Sequence, residues 1–200
     1  FPYTTLFRSL KRGGHDVAFL HLVEPTDRET FLGWLAAQEA GLVAFSSTSL
    51  MFPKVRVMAR WTKEETGLPV VVGGVHPTLD PLGTLEEESI DFVCVGEGEE
   101  VLVELAEALE GRGEVDAVPS LMGRWRGRDF SNPVRPLLED LDSLPFPDRS
   151  IFDMGRMAPD QRERITVMAS RGCPYRCRYC SNHAQRSVYP DGGRYVRFRS

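Results

Sequence analysis

The 200-residue chain contains no apolar run close to the roughly 20 residues that a membrane-spanning helix requires. Its first residues also lack the basic and apolar regions of a secretory signal. Neither a membrane span nor secretion is therefore expected, and a cytoplasmic, reducing setting follows. There is no internal repeat and no low-complexity tract, so a repeat architecture is not expected either. Cysteine is scarce. Of the four in the chain, three lie together and Cys94 stands far from them, which leaves no sensible pairing for a disulfide framework.

The apolar and charged fractions, 42% and 26%, are those of an ordinary soluble globular chain. Charge is divided unevenly along it. Ten arginines against three acidic residues in Met154–Ser200 give a net of +7, which leaves −12 for residues 1–153 of the total of −5. A basic segment invites a nucleic-acid reading. Here, however, the arginines interleave with the cysteines instead of forming a block, and an anionic cofactor or the acidic first segment accounts for them equally well. Nucleic acid is not an expected partner.

The chain does not begin with Met. Its first nine residues, Phe-Pro-Tyr-Thr-Thr-Leu-Phe-Arg-Ser, resemble the in-frame translation of a sequencing-adapter oligonucleotide and are expected to be foreign to the fold. The chain stops at Arg197-Phe-Arg-Ser200 with no closing element, so a fragment broken at both ends is expected.

Between these ends, short apolar runs alternate with amphipathic ones. Strands are expected at Asp16–Val23, Gly41–Phe45, Pro69–Val72 and Asp91–Val95. Helices are expected over residues 27–40, Met51–Thr66 and a short stretch near Gly83–Ser89. A further helix carries Val101, Leu102, Leu105, Ala108 and Leu109 as its apolar stripe and ends at Gly111. This alternation argues for an α/β fold, a parallel sheet with helices on both faces. Ligands bind at the carboxyl ends of the strands in such sheets. Three polar loops, the last two glycine-bearing, fall at that edge: Ser46–Ser49, Gly73–Thr78 and Gly96–Glu99. Glycine admits close backbone approach to a ligand, and adjacent N–H groups cradle anions.

From Val118 the pattern changes to a small hairpin over Met122–Phe130 and a proline-stiffened connector over Arg135–Asp148. Ile165–Ser170 then reads as a strand delivering Cys173-Pro-Tyr-Arg-Cys177-Arg-Tyr-Cys180. Three thiols at the spacing C-x-x-x-C-x-x-C can hold three irons of a [4Fe–4S] cluster, which takes four cysteines in its usual form. One iron would then be open to a ligand. Zinc is the alternative. It usually takes two C-x-x-C pairs, or one pair and two histidines, and His183 is the nearby fourth ligand here.

This cysteine loop, with Gly172 ahead of it, resembles the signature of the radical S-adenosylmethionine (SAM) enzymes. Gly73-Gly-Val-His-Pro-Thr78, Asp91-Phe-Val-Cys-Val-Gly-Glu-Gly-Glu99 and Leu141-Asp-Ser-Leu-Pro-Phe-Pro147 stand in the order found in one branch. The chain from about residue 10 to 200 thus resembles the cobalamin-binding radical SAM family. The resemblance implies a flavodoxin-like cobalamin-binding domain over 10–117 whose first strand is missing. A hairpin and linker follow over 118–163, and the start of a radical SAM (β/α) barrel over 164–200.

By position, Cys173, Cys177 and Cys180 match the cluster ligands, and Tyr179 matches the aromatic residue near the SAM adenine. Ser46, Ser47, Thr48, Gly73, Gly74, His76, Pro77, Thr78, Gly96 and Glu97 match the cobalamin-facing loops. Implied cofactors are a [4Fe–4S] cluster, SAM and cobalamin. Implied partners are a reductant such as flavodoxin or ferredoxin and a small-molecule, lipid or peptide substrate. The implied reaction is methylation or rearrangement at an unactivated carbon. One departure is the absence of D-x-H-x-x-G, which supplies corrinoid carriers with an axial histidine. A radical SAM enzyme that does not use cobalamin, or a ligand-binding module with a zinc loop, are the other readings. His15, His21 and Cys94 are expected to be structural.

Overall fold

A computed structural model of the chain describes residues 2–22, 24–152, 155, 167–190 and 195–199. Among these, no helix is long and apolar enough to cross a membrane. The order of elements is α1 (Pro2–Arg12), α2 (Arg28–Ala36), β1 (Val43–Ser46), α3 (Phe52–Thr66), β2 (Val70–Gly73), α4 (Val75–Leu79), α5 (Pro81–Leu85), β3 (Phe92–Cys94) and α6 (Glu99–Leu109). The hairpin β4 (Leu121–Trp125) and β5 (Arg128–Ser131) follows, then β6 (Ser170–Arg171), α7 (Asn182–Ser187) and β7 (Arg197–Phe198).

Five strands form one sheet in the order β1-β2-β3-β4-β5. The first three are parallel, with Val43 opposite Val70 and Val71 opposite Phe92. The hairpin joins antiparallel to β3, with Cys94 opposite Leu121. The sheet is therefore mixed, and the hairpin extends it instead of standing apart. Period-two alternation splits the apolar residues between two faces. Val71, Phe92 and Cys94 meet Val101, Leu102 and Leu105 of α6 on one face. Val70, Val72 and Val93 meet Val55 and Ala59 of α3 and Leu85 of α5 on the other. Lys63 Nζ of α3 donates to both carboxylate oxygens of Asp91, at 2.7 and 2.8 Å, and the same carboxylate accepts the Val70 N–H at 2.8 Å. One ion pair thus fixes the starts of β2 and β3 side by side.

Two of the expected strands meet a different outcome. Asp16–Leu22 has no regular secondary structure, and Val23 lies outside the described residues. The physical reason is the lack of a neighbour, because an apolar run becomes a strand only where another strand satisfies its N–H and C=O groups. Asp16–Leu22 and β1 both border a cavity of about 2330 Å³. Among the described residues no strand pairs with the free edge of β1. The other change concerns Ile165–Ser170. Ile165 lies outside the described residues, Val167–Ala169 is irregular, and only Ser170–Arg171 pairs, antiparallel to Arg197–Phe198. A two-residue antiparallel ladder stands where the first parallel strand of a barrel was expected. Residues 2–9, expected to be foreign to the fold, form most of α1, with Thr4, Thr5 and Phe7 buried.

Candidate functional site

The three polar loops, two of them glycine-bearing, lie at the carboxyl ends of β1, β2 and β3, and they are bonded to one another. Ser47 N–H donates to the Gly73 carbonyl at 2.8 Å, and His76 N–H donates back to the Ser47 carbonyl at 3.0 Å. Gly96 N–H donates to Thr78 Oγ1 at 3.0 Å. The first contact between loops demands glycine: Gly74 has φ +98°, and a Cβ there would fall 2.8 Å from the Ser47 carbonyl oxygen. Ser47, Pro77 and Thr78 are buried supports of this rim. Thr48 caps the following turn, its carbonyl accepting from Met51 and Phe52 at 3.0 Å.

His76 stands over Phe52 with ring centroids 4.0 Å apart. Its Nδ1 lies 3.2 Å from Ser49 Oγ, while its Nε2 is buried with no hydrogen-bond partner. A buried polar atom without a partner costs free energy on the order of 1–3 kcal/mol, and a ligand that supplies the partner recovers it. The cavity beside β1 reaches this rim, where Ser46, Gly73, Gly74, Thr78, Gly96 and Glu97 line it. A rim built on close glycine approach beside a large cavity fits a bulky ligand rich in polar edge groups.

Glu97 is occupied differently from the other rim residues. Its Oε1 accepts from Arg171 Nη1 at 2.9 Å and Arg197 Nη2 at 2.8 Å. Its Oε2 accepts from Arg197 Nη1 at 2.9 Å and the Leu138 N–H at 3.2 Å. An ionised carboxylate has about four lone-pair positions, and all are used. Arg171 also bonds the buried Glu99. Burial pushes the Glu97 pKa up, but the hydrogen bonds and charges of Arg197 and Arg171 outweigh it, and the carboxyl is held below its ordinary value of 4.5. Tyr189 closes the cluster: a Cβ on Gly96 would sit 2.8 Å from its hydroxyl.

Arg171 stands two residues before Cys173. Gly172 between them has φ +86°, and a Cβ there would overlap the Tyr195 carbonyl, so only glycine lets the chain turn under that residue. The cysteine loop itself is open. Cys177 is exposed, Cys173 and Cys180 are half-buried, and Tyr179 is 93% exposed. Cys180 N–H donates to the Cys177 carbonyl at 3.1 Å, closing a backbone turn between the last two cysteines. Among the described residues no three His, Cys, Asp or Glu side chains converge on one point, so the thiols are not gathered by the fold alone. The chemistry of the donors, three thiols within eight residues, suits iron–sulfur ligation. Cys94, by contrast, is buried in β3, and its thiol is pushed up to about 12 by burial first and Glu99 second.

The model of the B12-binding domain matches residues 4–106, which is half of the chain and holds all three rim loops. The chain belongs to the B12-binding domain family. An uncharacterized methyltransferase of Pyrococcus horikoshii is 30% identical over 180 residues, covering 88% of this chain and 39% of that protein. The hopanoid C-3 methylase of Methylococcus capsulatus is 31% identical over 182 residues, covering 86% of this chain and 34% of that protein. Among solved structures, the radical SAM methyltransferase TsrM of Kitasatospora setae, with cobalamin and a [4Fe–4S] cluster bound, superposes with a TM-score of 0.70. It covers all of this chain and 40% of its own, at 20% identity, and that likeness is one of fold. This chain thus spans between a third and two fifths of the length of these proteins.

Sequence reading had placed the rim loops but missed Arg171, Arg197, Tyr189 and Tyr195. Their partners lie as far as 100 residues away, so no local pattern reveals them. The one available signal was the charge division, with a basic end facing an acidic beginning.

Proposed function

We propose that this chain is the corrinoid-binding front and the cysteine-bearing opening of a cobalamin-dependent radical SAM enzyme that modifies an unactivated carbon, with methyl transfer as the leading reaction. The observation that carries the proposal is the contact between Glu97 and Arg171. It joins the rim of a B12-binding domain to the strand that leads into the three cysteines, so the two sites serve one centre.

In this reading Cys173, Cys177 and Cys180 hold a [4Fe–4S] cluster, and Tyr179, exposed beside them, covers the adenine of SAM. Ser46, Ser47, Thr48, Gly73, Gly74, Pro77, Thr78 and Gly96 shape the rim against cobalamin, and His76 Nε2 donates to or accepts from one of its polar edge groups. When bound, the cluster and SAM supply a 5′-deoxyadenosyl radical, and cobalamin supplies a transferable methyl group. The protein groups position those cofactors and keep water away from them. The electron comes from a reductant such as flavodoxin or ferredoxin, in a cytoplasmic setting. The substrate, a small molecule, lipid or peptide, is chosen outside these residues.

The test is an anaerobic visible spectrum of the protein after reconstitution with iron, sulfide and hydroxocobalamin and then desalting. Retained corrinoid bands over broad iron–sulfur absorption are expected. A cluster without corrinoid would leave radical SAM chemistry with no cobalamin. Bound zinc, without acid-labile sulfide, would leave a ligand-binding module with a zinc loop.

A further inference from the structure

Glu97 lies in the glycine-rich loop after β3, where a corrinoid-facing role was expected of it. All four of its acceptor positions are filled from within the protein. It has nothing left to offer a ligand. What it holds is the base of the cysteine loop.

Arg171 and Arg197 are opposite each other in the β6–β7 ladder, so one carboxylate clamps both strands of that ladder. Arg197 is almost fully buried, at 4% exposure, and its guanidinium also donates to the Leu138 carbonyl at 2.6 Å. Glu99, buried at the start of α6, takes the second arm of Arg171. On its other side the Glu97 loop is tied to the rim, since Gly96 N–H donates to Thr78 Oγ1. A continuous chain of bonded groups therefore runs from the Ser47 and His76 loops through Thr78, Gly96 and Glu97 to Arg171, the residue before Gly172 and Cys173. Bidentate arginine–carboxylate geometry fixes orientation as well as distance. The cluster of Leu137, Tyr189 and Tyr195 adds apolar contacts across this junction, and Arg199 donates to the Leu144 carbonyl at 2.6 Å.

We propose that Glu97 is a positioning residue, not a cofactor contact: acting through Arg171 and Arg197, it sets the place of the cysteine loop relative to the rim of the B12-binding domain. The identity of the ligands at the two sites rests on the function proposed above, but the clamp itself does not.

Amide deuterium exchange, read by mass spectrometry on the metal-free full chain, tests this. Glu97→Gln removes the charge and one acceptor while keeping the side chain's shape. It is expected to raise exchange at residues 171–181 on the order of ten-fold, with exchange at Val71 and Val93 unchanged. Glu97→Asp, which keeps the charge on a shorter arm, is expected to restore part of the protection. Two results overturn the proposal. In one, residues 171–181 of Glu97→Gln exchange at the wild-type rate. In the other, exchange rises equally in β2 and β3, which would make Glu97 a residue of general stability. A second arm adds hydroxocobalamin to both proteins and desalts them. Glu97→Gln is expected to retain as much corrinoid as wild type, and selective loss of corrinoid by the variant would overturn the proposal by making Glu97 a cofactor contact. If neither protein retains it, the function proposed above fails, and the exchange arm still decides the role of Glu97.

Discussion

In β2 and β3, Val70–Val72 and Phe92–Cys94 are all buried, whereas β1 exposes Ala44 and Ser46 and half-exposes Val43 and Phe45. All three strands are apolar and parallel, and parallel strands ordinarily lie covered on both faces. The difference is in their neighbours. Among the described residues β2 and β3 have a strand on each side, while β1 has only β2. Val43 N–H and Ser47 N–H point to β2, donating to Pro69 and Gly73. By alternation the backbone groups of Ala44 and Ser46 face the other way, into the cavity. The rim loops nevertheless form at the ends of all three strands, so an unfinished edge does not prevent the site from being shaped.

The largest contrast to test lies among the thiols. With its thiol pushed up to about 12 in the closed centre, Cys94 is thiolate to only roughly one part in 10⁴ at pH 8. The thiolate is the reactive form. Iodoacetamide on the native protein is expected to label Cys173, Cys177 and Cys180 and to leave Cys94 roughly 10³-fold slower, as read by peptide mass spectrometry. Fast labelling of Cys94 would mean that the centre opens as readily as the loop.

Side-chain truncation gives the next largest effect. Phe92, fully buried between Trp125 and Phe130, is expected to cost about 3–5 kcal/mol on replacement by alanine. Phe45→Ala, at the half-exposed edge, is expected to cost about 1 kcal/mol, because its ring already meets solvent. Urea denaturation measures both. Equal losses would show that β1 is as well packed as its neighbours.

Backbone exchange probes the same division without mutation. Ala44 and Ser46 amides are expected to exchange roughly 10²-fold faster than those of Val71 and Val93. If all four exchange together, the edge and the centre open as one unit.

These contrasts also explain what was legible from the sequence. Amphipathic α6 and the fully apolar β2 were readable because their period already states which face is buried, and the structure keeps them within a residue or two. The three rim loops were readable because small polar residues or glycines follow each apolar run: Ser46–Ser49 after the first, and Gly73-Gly74 and Gly96 after the next two. The Asp16–Val23 strand was misread because its pattern is right but its pairing partner cannot be seen in a local window. Glu97 was placed at the rim correctly by position. Its occupation by Arg171 and Arg197 depends on contacts across 74 and 100 residues, which no spacing rule encodes.

The smallest expected effect is the response of the clamp to acid, and its direction follows from the charges that surround it. Arg171, Arg197, Glu99, Tyr189 and Tyr195 are the titratable groups facing Glu97. Its native pKa lies below the ordinary 4.5, so the unfolded chain takes up the proton first as pH falls. The stabilisation is therefore complete above pH 4.5 and is lost as pH drops through the lowered native value. Once corrected for intrinsic rates, the difference in exchange between wild type and Glu97→Gln at residues 171–181 should stay constant from pH 8 to 5. It should shrink only below 4.5, while the gap between Ala44 and Val71 persists. A difference that already shrinks near pH 6 would mean that burial of Glu97 outweighs its arginines, and that the junction is held by the apolar contacts of Leu137, Tyr189 and Tyr195 instead.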